Sequence, residues 1–457
     1  MQERVTLSEA RINRDLLRNV LKAPLWFWGL VGLLFLVVLA AAAALGFMIT
    51  VGTGVMGINR PIMWGFMITN FVFWIGISHA GVMLSAILRL SKAEWRRPAT
   101  RAAEVLTVFS LLTALAFPVM HVGRLWRMYW AMPYDFPRGI WPNVRSALIW
   151  DPSAIVTYLT GSTLFVLVAL VPDLAVVRDR TTGIRHWVYS ALAMGWRGTP
   201  RQWKLQIIAG FLLSALLLPV FVSVHSIVSW DFAMAMGVEG WHATIFAPYF
   251  VIGAVHSGVS AVVTVMIFMR FLFKWDAYIR REHLDALGRL LIVIATTWLF
   301  FFIIEFSFAL MSLESQEIAL REMQVFEWPY SMLFVVFIVT AYIFPVPLWL
   351  FRNVRCSALW MLITSLSVNV GMWLERFLII VPGLARKTPL SFNWGTYHPS
   401  IVEITLVAAS FAFVFMLLLL FSKIFPLIPL FDVKEGQTLS DTIQVGRKTV
   451  PALRVEE

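Results

Sequence analysis

Cysteine and charge are scarce in this chain. A single cysteine, Cys356, stands among 457 residues, which excludes an internal disulfide, a CxxC pair and a cysteine-ligated cluster. Charged residues make up 14% of the sequence and hydrophobic residues 60%, against about 25% and roughly 45–50% in soluble domains. A soluble fold cannot bury that much apolar surface. The sequence therefore predicts an all-α polytopic membrane protein.

Several familiar sequence motifs are also missing. The chain has no phosphate-binding GxxxxGK[ST], no HExxH and no nucleophile elbow. The net charge of +11 has the sign that nucleic-acid binding requires. Most of the basic residues, however, stand in short segments between apolar runs, where they orient a membrane protein. The expected surroundings are membrane lipid, and no nucleic-acid partner is expected.

Ten apolar runs are long enough to cross a bilayer, which needs about 20 residues per helix. About three quarters of the 37 Lys and Arg residues fall on the side that carries both chain ends. The positive-inside rule therefore places both termini in the cytoplasm. The predicted spans are residues 25–50, 62–90, 103–122, 153–172, 205–229, 243–273, 290–312, 329–351, 357–381 and 400–425.

Two of these spans carry the same short pattern. The second reads FWIGISHAGV and the sixth YFVIGAVHSGV, so that IGxxHxG aligns His79 with His256. The junctions IWDPS, with Asp151, and FEWPY, with Glu327, follow two spans later in each case. This spacing predicts two parallel four-helix repeats plus flanking helices. The expected organisation is an amphipathic cytoplasmic tail (1–24), a first transmembrane helix (25–61), a first four-helix repeat that contains the candidate site (62–242), a second repeat (243–399), a tenth transmembrane helix (400–425) and a cytoplasmic tail (426–457).

The segment from Phe117 to Asp151 holds the best candidate for chemistry. Oxidation of a quinol releases two protons with two electrons, and a histidine and a partly desolvated carboxylate are suitable bases. His121 and Asp151 bracket this loop and are predicted to be the catalytic pair. The alternative is an interfacial aromatic belt with a structural ion pair from Asp151 to Arg124 or Arg127. The residues predicted to hold the ring are His121, Asp151, Arg124, Tyr129, Trp130 and His225, with further apolar contacts from Trp126, Met128 and Met132.

Ionisable residues within the spans are a second set of candidates, because such groups are costly in a membrane. A proton path through His79, His256, Glu305 and Glu375 is one interpretation. Histidines satisfied within the core are another, and an adjacent Glu375–Arg376 pair with a structural role is a third. Two repeat-related histidines also have the ligand type for an axial haem, but they provide only one candidate pair.

At this point the motifs resemble a known family. They are typical of the NrfD/PsrC family of membrane quinone-binding subunits, and more closely of ActC, the larger NrfD-like subunit of bacterial alternative complex III. The resemblance covers spans two to ten. The motifs that carry it are HVGRLWRMYW, WDPSAIVTY, LVPDLAVVRDR, SVHSIVSWDFA, GWHATIFAPYFVIGA and VNVGMWLERF.

This resemblance implies a subunit of a quinol:electron-acceptor oxidoreductase complex in a bacterial inner membrane. It implies menaquinol or ubiquinol bound near the outer face, and no metal or haem in this chain. Electrons would pass to an iron–sulfur subunit and then to multihaem cytochrome c subunits, beside a second NrfD-like membrane subunit. The family's quinol-site histidine and aspartate match His121 and Asp151, and its proposed proton path matches His79, His256 and Glu305 loosely.

Two further functions remain open from the sequence. A proton or solute transporter places its site near the midplane, whereas the richest cluster here lies at the outer surface. A membrane anchor of a molybdenum-containing reductase or dehydrogenase, with electrons running the opposite way, has the same motifs.

Overall fold

The protein is described by a computed structural model, which covers residues 7–131, 146–386, 395–438, 441–445 and 448–452, without the side chains at 94, 130, 131 and 437–452. Within this part of the chain, ten helices are long and apolar enough to cross a membrane. The predicted all-α polytopic membrane fold, with about ten spans, is confirmed. The spans are Leu25–Val51, Phe66–Leu90, Thr100–His121, Ala147–Arg178, Pro200–Ala233, Phe246–Phe273, Arg281–Met311, Tyr330–Trp349, Ala358–Ala385 and Ile401–Ile424.

The α-helices in the described residues are numbered in chain order. Two π-helical turns, Val82–Ile87 and Val339–Ile343, join α3 to α4 and α12 to α13, so each of those pairs forms one span. The helices are α1 (Glu9–Leu21), α2 (Leu25–Val51), α3 (Phe66–Gly81), α4 (Leu88–Leu90), α5 (Thr100–His121), α6 (Ala147–Arg178), α7 (Gly183–Leu192), α8 (Pro200–Ala233), α9 (Phe246–Phe273), α10 (Arg281–Met311), α11 (Ser315–Phe326), α12 (Tyr330–Ile338), α13 (Pro345–Trp349), α14 (Arg352–Arg355), α15 (Ala358–Ala385), α16 (Ile401–Ile424) and α17 (Leu430–Thr438).

The remaining elements are short. Three 3-10 turns are formed by Thr53–Val55, Glu94–Arg96 and Leu125–Ala131. Near the end of the chain, strands β1 (Asp441–Val445) and β2 (Lys448–Ala452) form an antiparallel hairpin. We call α3–α8 the first half and α9–α15 the second half. The division into two four-helix repeats stays a prediction.

The two halves meet where α3 packs against α9. These two helices carry the related IGxxHxG patterns and belong to the two most enclosed spans. A side chain at Gly258 would place its Cβ 2.9 Å from the backbone nitrogen of Ala80 and 3.1 Å from the carbonyl oxygen of Ile77. Neither backbone atom can move without the rest of α3. Glycine therefore permits a close approach of two helix backbones, as small residues do at other membrane helix crossings.

The N-terminal segment forms a helix docked on the bundle. Helix α1 buries its apolar face, including Leu16 and Leu17, against the core. The last carbonyls of a helix have no partner within it, and cations there are stabilising. Lys423 Nζ lies 2.9 Å from the carbonyl oxygen of Val20, and Arg185 Nη2 lies 2.7 Å from the same oxygen. The apolar face of this amphipathic helix thus packs against the rest of the protein.

At the other end of the bundle, Tyr397 and Glu403 close the loop that precedes α3. Tyr397 Oη accepts from the backbone nitrogen of Phe66 at 2.8 Å and donates to Glu403 Oε1 at 2.8 Å. Glu403 Oε2 also accepts from the backbone nitrogen of Gly57 at 2.7 Å. Burial raises the pKa of Tyr397 far above its ordinary range, and Glu403 adds to that shift. The phenol therefore stays a hydrogen-bond donor at any physiological pH.

Candidate functional site

Two buried carboxyl groups face each other at one end of the first half. Asp151 lies near the start of α6 and Asp231 in the last turn of α8. The two helices pack side by side and run in opposite directions, so the start of one meets the end of the other. Asp151 and Asp231 are 7% and 4% exposed, and their side chains share a hydrogen bond. Two ionised carboxylates in such contact repel each other, so the pair is stable when it shares one proton.

His121 lies at the same end of the first half. It is the last residue of α5, and Gly123 then takes a φ of +74°, which turns the chain away from the helix. The ring nitrogen Nδ1 of His121 is buried and has no hydrogen-bond partner within the described residues. The Oδ1 atoms of Asp151 and Asp231 are also buried without a partner there. Buried polar atoms of this kind are rare, and they mark places where a ligand or water belongs.

The predicted aromatic loop is only partly described. Arg124 and Arg127 are exposed, and no ion pair joins Asp151 to either of them, although all three residues are described. The structural ion pair that formed the alternative interpretation is therefore not present. Trp126 and Tyr129 are 64% and 47% exposed.

Met128 is half-buried, and two other loop predictions lie outside the described part. Nothing is described of the side chain of Trp130, and Met132 falls in the undescribed segment 132–145. The participation of Trp130 in a ring pocket stays a prediction. The paired junction in the second half differs from the first, because Glu327 is exposed whereas Asp151 is buried. A buried acid at this junction is thus a feature of the first half.

His225 lies beside His79 in the interior, between α8 and α3. The ring centroids are 4.5 Å apart, and both residues are fully buried. His79 Nδ1 lies 2.8 Å from the carbonyl oxygen of Ile75, and its Nε2 lies 3.0 Å from that of Phe221. A neutral imidazole donates from one nitrogen only, so both carbonyls are satisfied only when the ring is protonated.

His225 connects this pair to the carboxyl groups. It stands six residues before Asp231 on α8, which is about 9 Å along the helix. Neither of its ring nitrogens has a partner with hydrogen-bond geometry in the described residues, although the backbone of Phe250 is near. The sequence prediction placed His225 at the quinol ring, whereas the structure brings it to His79.

His256, the sequence counterpart of His79, has different surroundings. Its ring packs against Trp298 with a centroid distance of 5.7 Å. Both ring nitrogens lack hydrogen-bond partners within the described chain. The two related histidines therefore do not occupy equivalent polar environments. No group of three or more His, Cys, Asp or Glu suited to a metal ion occurs among the described residues.

A second interior cluster surrounds Glu375. Tyr249 Oη and Trp298 Nε1 both donate to Glu375 Oε1, the indole at 2.8 Å. Arg376 Nη1 lies 3.3 Å from Glu375 Oε2, so the predicted adjacent pair is an ion pair here. A Cβ at Gly253 would lie 2.6 Å from Arg376 Nη2. The glycine of the IGxxHxG pattern thus makes room for a guanidinium group.

Arg376 brings the two halves into electrostatic contact. Its guanidinium carbon lies 4.7 Å from the centroid of the Phe250 ring, and the His225 ring is 5.9 Å from the same centroid. Neither Nη atom of Arg376 has a hydrogen-bond partner in the described residues. The charge acts on both His225 and His79. Sequence reasoning missed this, since it treated Arg376 only as the neighbour of Glu375.

Glu305 lies near the end of its helix. It stands six residues before the end of α10 and forms an ion pair with Arg321 Nη2 of α11 at 2.7 Å. The reason is that α11 folds back over the end of the bundle and brings a basic residue to it. A cavity of about 30 Å³ is lined by Glu305 and Arg321 together with Glu375 and Tyr249. That volume accommodates one or two water molecules.

A further buried acid, Glu104, was not singled out from the sequence. It is 3% exposed near the start of α5 and accepts a hydrogen bond from Ser85. Between Glu104 and His79, Thr107 Oγ1 donates to the carbonyl oxygen of Ser78 at 2.6 Å, and Tyr158 Oη donates to it at 3.0 Å. The signal in the sequence was an acid within an apolar run, TRAAEVLTV.

Comparison with known proteins identifies the family. The profile of the family described as "Polysulphide reductase, NrfD" matches residues 54–387. The chain is 25% identical over 263 residues to the membrane subunit of a putative dimethyl sulfoxide reductase of Halobacterium salinarum, covering 58% of this chain and 56% of that protein. The chain thus spans little more than half the length of this relative.

A second relative aligns over more of its length. A selenate reductase subunit of Mesobacillus selenatarsenatis is 21% identical over 420 residues, covering 86% of this chain and 91% of that protein. Both relatives are named as subunits of reductases, and the match to the family profile extends over most of the ten-span bundle. The chain belongs to the NrfD family of membrane proteins.

Proposed function

We propose that this protein is the membrane subunit of a respiratory reductase complex and oxidises quinol at the Asp151–Asp231 end of its first half. The observation that carries the proposal is the pair of facing, buried carboxyl groups at the same helix ends as a His121 nitrogen that has no partner among the described residues. A quinol has two hydroxyl groups, and the unpartnered atoms are acceptors of the kind that those groups need. The named relatives favour a reductase as the partner complex over alternative complex III.

The residues of this chain would handle the protons of the reaction. Oxidation of a bound quinol releases two electrons and two protons. His121 Nδ1 takes one proton. The Asp151–Asp231 pair, which shares one proton before the reaction, takes the other, so that both carboxyl groups are then protonated. The electrons leave to the iron–sulfur subunit of the complex. Burial of the carboxyl pair excludes competing solvent, so that protons leave through these side chains.

A row of interior groups continues from this site across the first half. His225 lies between Asp231 and His79, and Ser78, Thr107 and Ser85 continue toward Glu104. This row forms the proposed proton route. His256 packs against Trp298 in the second half and lies outside this row, so its place in a proton path stays a prediction. Glu305 and Glu375 flank a cavity of water size, and we propose that they exchange protons with the outside through the second half.

The orientation follows the distribution of charge. With the basic segments in the cytoplasm of a bacterium, the protein lies in the inner membrane with both termini inside. The carboxyl pair and His121 then lie at the periplasmic side. A reductase consumes electrons, so a quinol-oxidising site serves it directly, whereas a dehydrogenase partner would run the same site in reverse.

A second candidate is a quinol:cytochrome c oxidoreductase of the alternative complex III type. The motifs HVGRLWRMYW and WDPSAIVTY favour it. Its partners would be an iron–sulfur subunit, multihaem cytochrome c subunits and a second NrfD-like membrane subunit. A molybdenum-containing reductase subunit takes the place of those cytochromes in the first candidate. A solute transporter is the least favoured, because the named relatives are reductase subunits.

The test is electron transfer from quinol in the purified complex. The protein is isolated with its native partners, a quinol is added, and reduction of the partner's iron–sulfur centres is followed for wild type and Asp151→Asn. An amide cannot accept a proton, so the variant should assemble normally and lose activity by about a hundredfold or more. Glu327→Gln is the matched control and should retain full activity. Normal turnover of Asp151→Asn would refute the site.

The same preparation decides between the two candidates. Mass spectrometry of the copurified subunits reports whether a reductase subunit is present, and the absorbance of the preparation reports c-type haem. A reductase subunit without multihaem cytochromes supports the first candidate. Multihaem cytochromes with a second ten-span subunit support the second.

A further inference from the structure

A cleft opens at the end of the first half opposite the carboxyl pair. It has a volume of about 200 Å³ and lies between the end of α6, the segment 193–199, the start of α8 and α17. This is the end at which the basic segments of the chain are concentrated. Its lining contains three basic residues, Arg178, Arg197 and Lys434, and three aromatic residues, Trp196, Trp203 and Phe431.

The acidic residues of the cleft are already paired. Asp173 Oδ2 lies 2.5 Å from Arg101 Nη1, a buried guanidinium behind the cleft wall. Asp173 also accepts from the backbone nitrogen of Leu430 at 3.3 Å, at the start of α17. Asp179 is paired with Arg178 at 2.8 Å. Neither carboxylate is therefore left to repel an anion that enters the cleft.

Two of the basic residues that line the cleft are available to an anion. Arg197 is exposed, and its side chain makes no hydrogen bond or ion pair in the described residues. Lys434 Nζ is 3.1 Å from Glu9, and the two side chains are 21% and 77% exposed. The acid of this pair is held in solvent, so the pair contributes little and an anion in the cleft can compete for the lysine. Two basic side chains thus lie where an anionic group can reach both.

The aromatic residues form the wall of the cleft. Trp203 stacks on Phe431 with a centroid distance of 3.9 Å, and Trp196 meets Trp203 edge-on at 4.9 Å. Trp and Tyr prefer the depth of lipid headgroups in membranes. The wall therefore places the cleft at the membrane–water boundary.

Helix α7 provides an adjoining apolar surface. It connects the spans α6 and α8, and it exposes Ile184 and Trp187 at 83% and 72%. An amphipathic helix with bulky apolar residues on its outer side lies in the plane of the interface. The nearby start of span α8 exposes Leu205 and Ile207 at 56% and 69%. Acyl chains can thus contact this surface while the headgroup enters the cleft.

We propose that this cleft binds the phosphate-bearing headgroup of an anionic phospholipid. Arg197 and Lys434 contact the phosphate, the Trp203–Phe431 wall packs against the glycerol region, and the acyl chains lie along α7 and the start of α8. Basic pockets between membrane helices at the cytoplasmic side are suited to such headgroups. The inference does not depend on the proposed redox function, since it uses none of the residues of the carboxyl pair.

The test compares lipid binding to two charge-matched variants. The full-length protein, purified with its partner subunits, is titrated with phosphatidylglycerol or phosphatidylcholine, and bound lipid is measured by native mass spectrometry. Arg197→Gln combined with Lys434→Gln should weaken phosphatidylglycerol binding by about 25-fold, since each basic residue near an anionic lipid contributes roughly fivefold. The control pair, Arg201→Gln with Lys204→Gln, removes the same charge from exposed residues that do not line the cleft, and it should change binding by less than about threefold.

Three results would overturn the proposal. They are equal losses for the two charge-matched variants, equal binding of phosphatidylcholine and phosphatidylglycerol, and full displacement of the lipid by millimolar inorganic phosphate. The last would show that the cleft takes a free anion. The single variant Arg197→Gln, at an exposed side chain, provides the same comparison against Arg201→Gln if the double variant fails to assemble.

Discussion

The imidazole rings of His79 and His225 lie 4.5 Å apart at an interplanar angle of 70°. One ring has a carbonyl oxygen opposite each nitrogen, while the other has none at hydrogen-bond geometry in the described residues. A proton that reaches this pair is therefore best accommodated on His79, where both donors find acceptors. His225 stands between that ring and Asp231, as a relay group would.

The proposed proton route through His225 and His79 predicts unequal effects of two histidine substitutions. His225→Phe should slow quinol-dependent turnover at least about tenfold, because a phenyl ring cannot exchange a proton. His256→Phe, at an equally buried histidine packed against Trp298, should retain more than about half of the activity. Turnover and the midpoint of thermal unfolding are measured for both. Equal losses of turnover with unchanged stability would contradict the route through the first half.

The carboxyl pair predicts that Asp231 is as important as Asp151. Asp231→Asn should lower turnover by about a hundredfold, as Asp151→Asn does, since one proton is held between the two groups. The double variant should be no slower than either single variant, because residues that act as a unit have non-additive effects. Additive losses in steady-state quinol oxidation would show that the two acids work independently.

The contact between α3 and α9 predicts a stability effect at one glycine. Gly258→Ala should lower the free energy of unfolding by about 1–3 kcal/mol, because the new Cβ meets backbone atoms of α3 that cannot yield. Gly46→Ala is the control, since no atom of the described residues lies within 4 Å of a Cβ at that position. Thermal unfolding of the purified protein should show a lower midpoint for the first variant alone. An unchanged midpoint for Gly258→Ala would show that α3 and α9 accommodate the added methyl group without a loss of stability.

The single cysteine offers a test of orientation. Cys356 is partly exposed between α14 and α15, on the side expected to face the cytoplasm. A membrane-impermeant maleimide should leave it unlabelled in intact cells and label it in inside-out vesicles. In a Cys356→Ser background, Glu327→Cys at the other face should show the reverse pattern. Labelling of Cys356 from outside would invert the topology, and the carboxyl pair would then lie at the cytoplasmic side.

Much of the fold was readable in the sequence. The ten spans were predicted within a few residues at most ends, because a helix that crosses a bilayer must be apolar over its whole length. The largest departures are in α6, which extends beyond its predicted span at residues 147–152 and 173–178, and in α10, which extends at residues 281–289. Charged residues in these extensions, such as Asp151, Asp173 and Glu282, limited the predicted spans, although the helices continue through them. Helices α1, α7 and α11 were not predicted as membrane spans and cover the ends of the bundle.

The polar groups show what the sequence by itself determined and what only the tertiary structure decided. The sequence showed acids and histidines within apolar runs, and such groups indicate function because they are energetically costly in a membrane. The sequence did not show which residues they contact. Asp151 and Asp231 are 80 residues apart in the chain, and Arg376 reaches His225 across two halves of the bundle. Such neighbours depend on which helix faces pack together, and an apolar run specifies its length but not the direction of its few polar side chains.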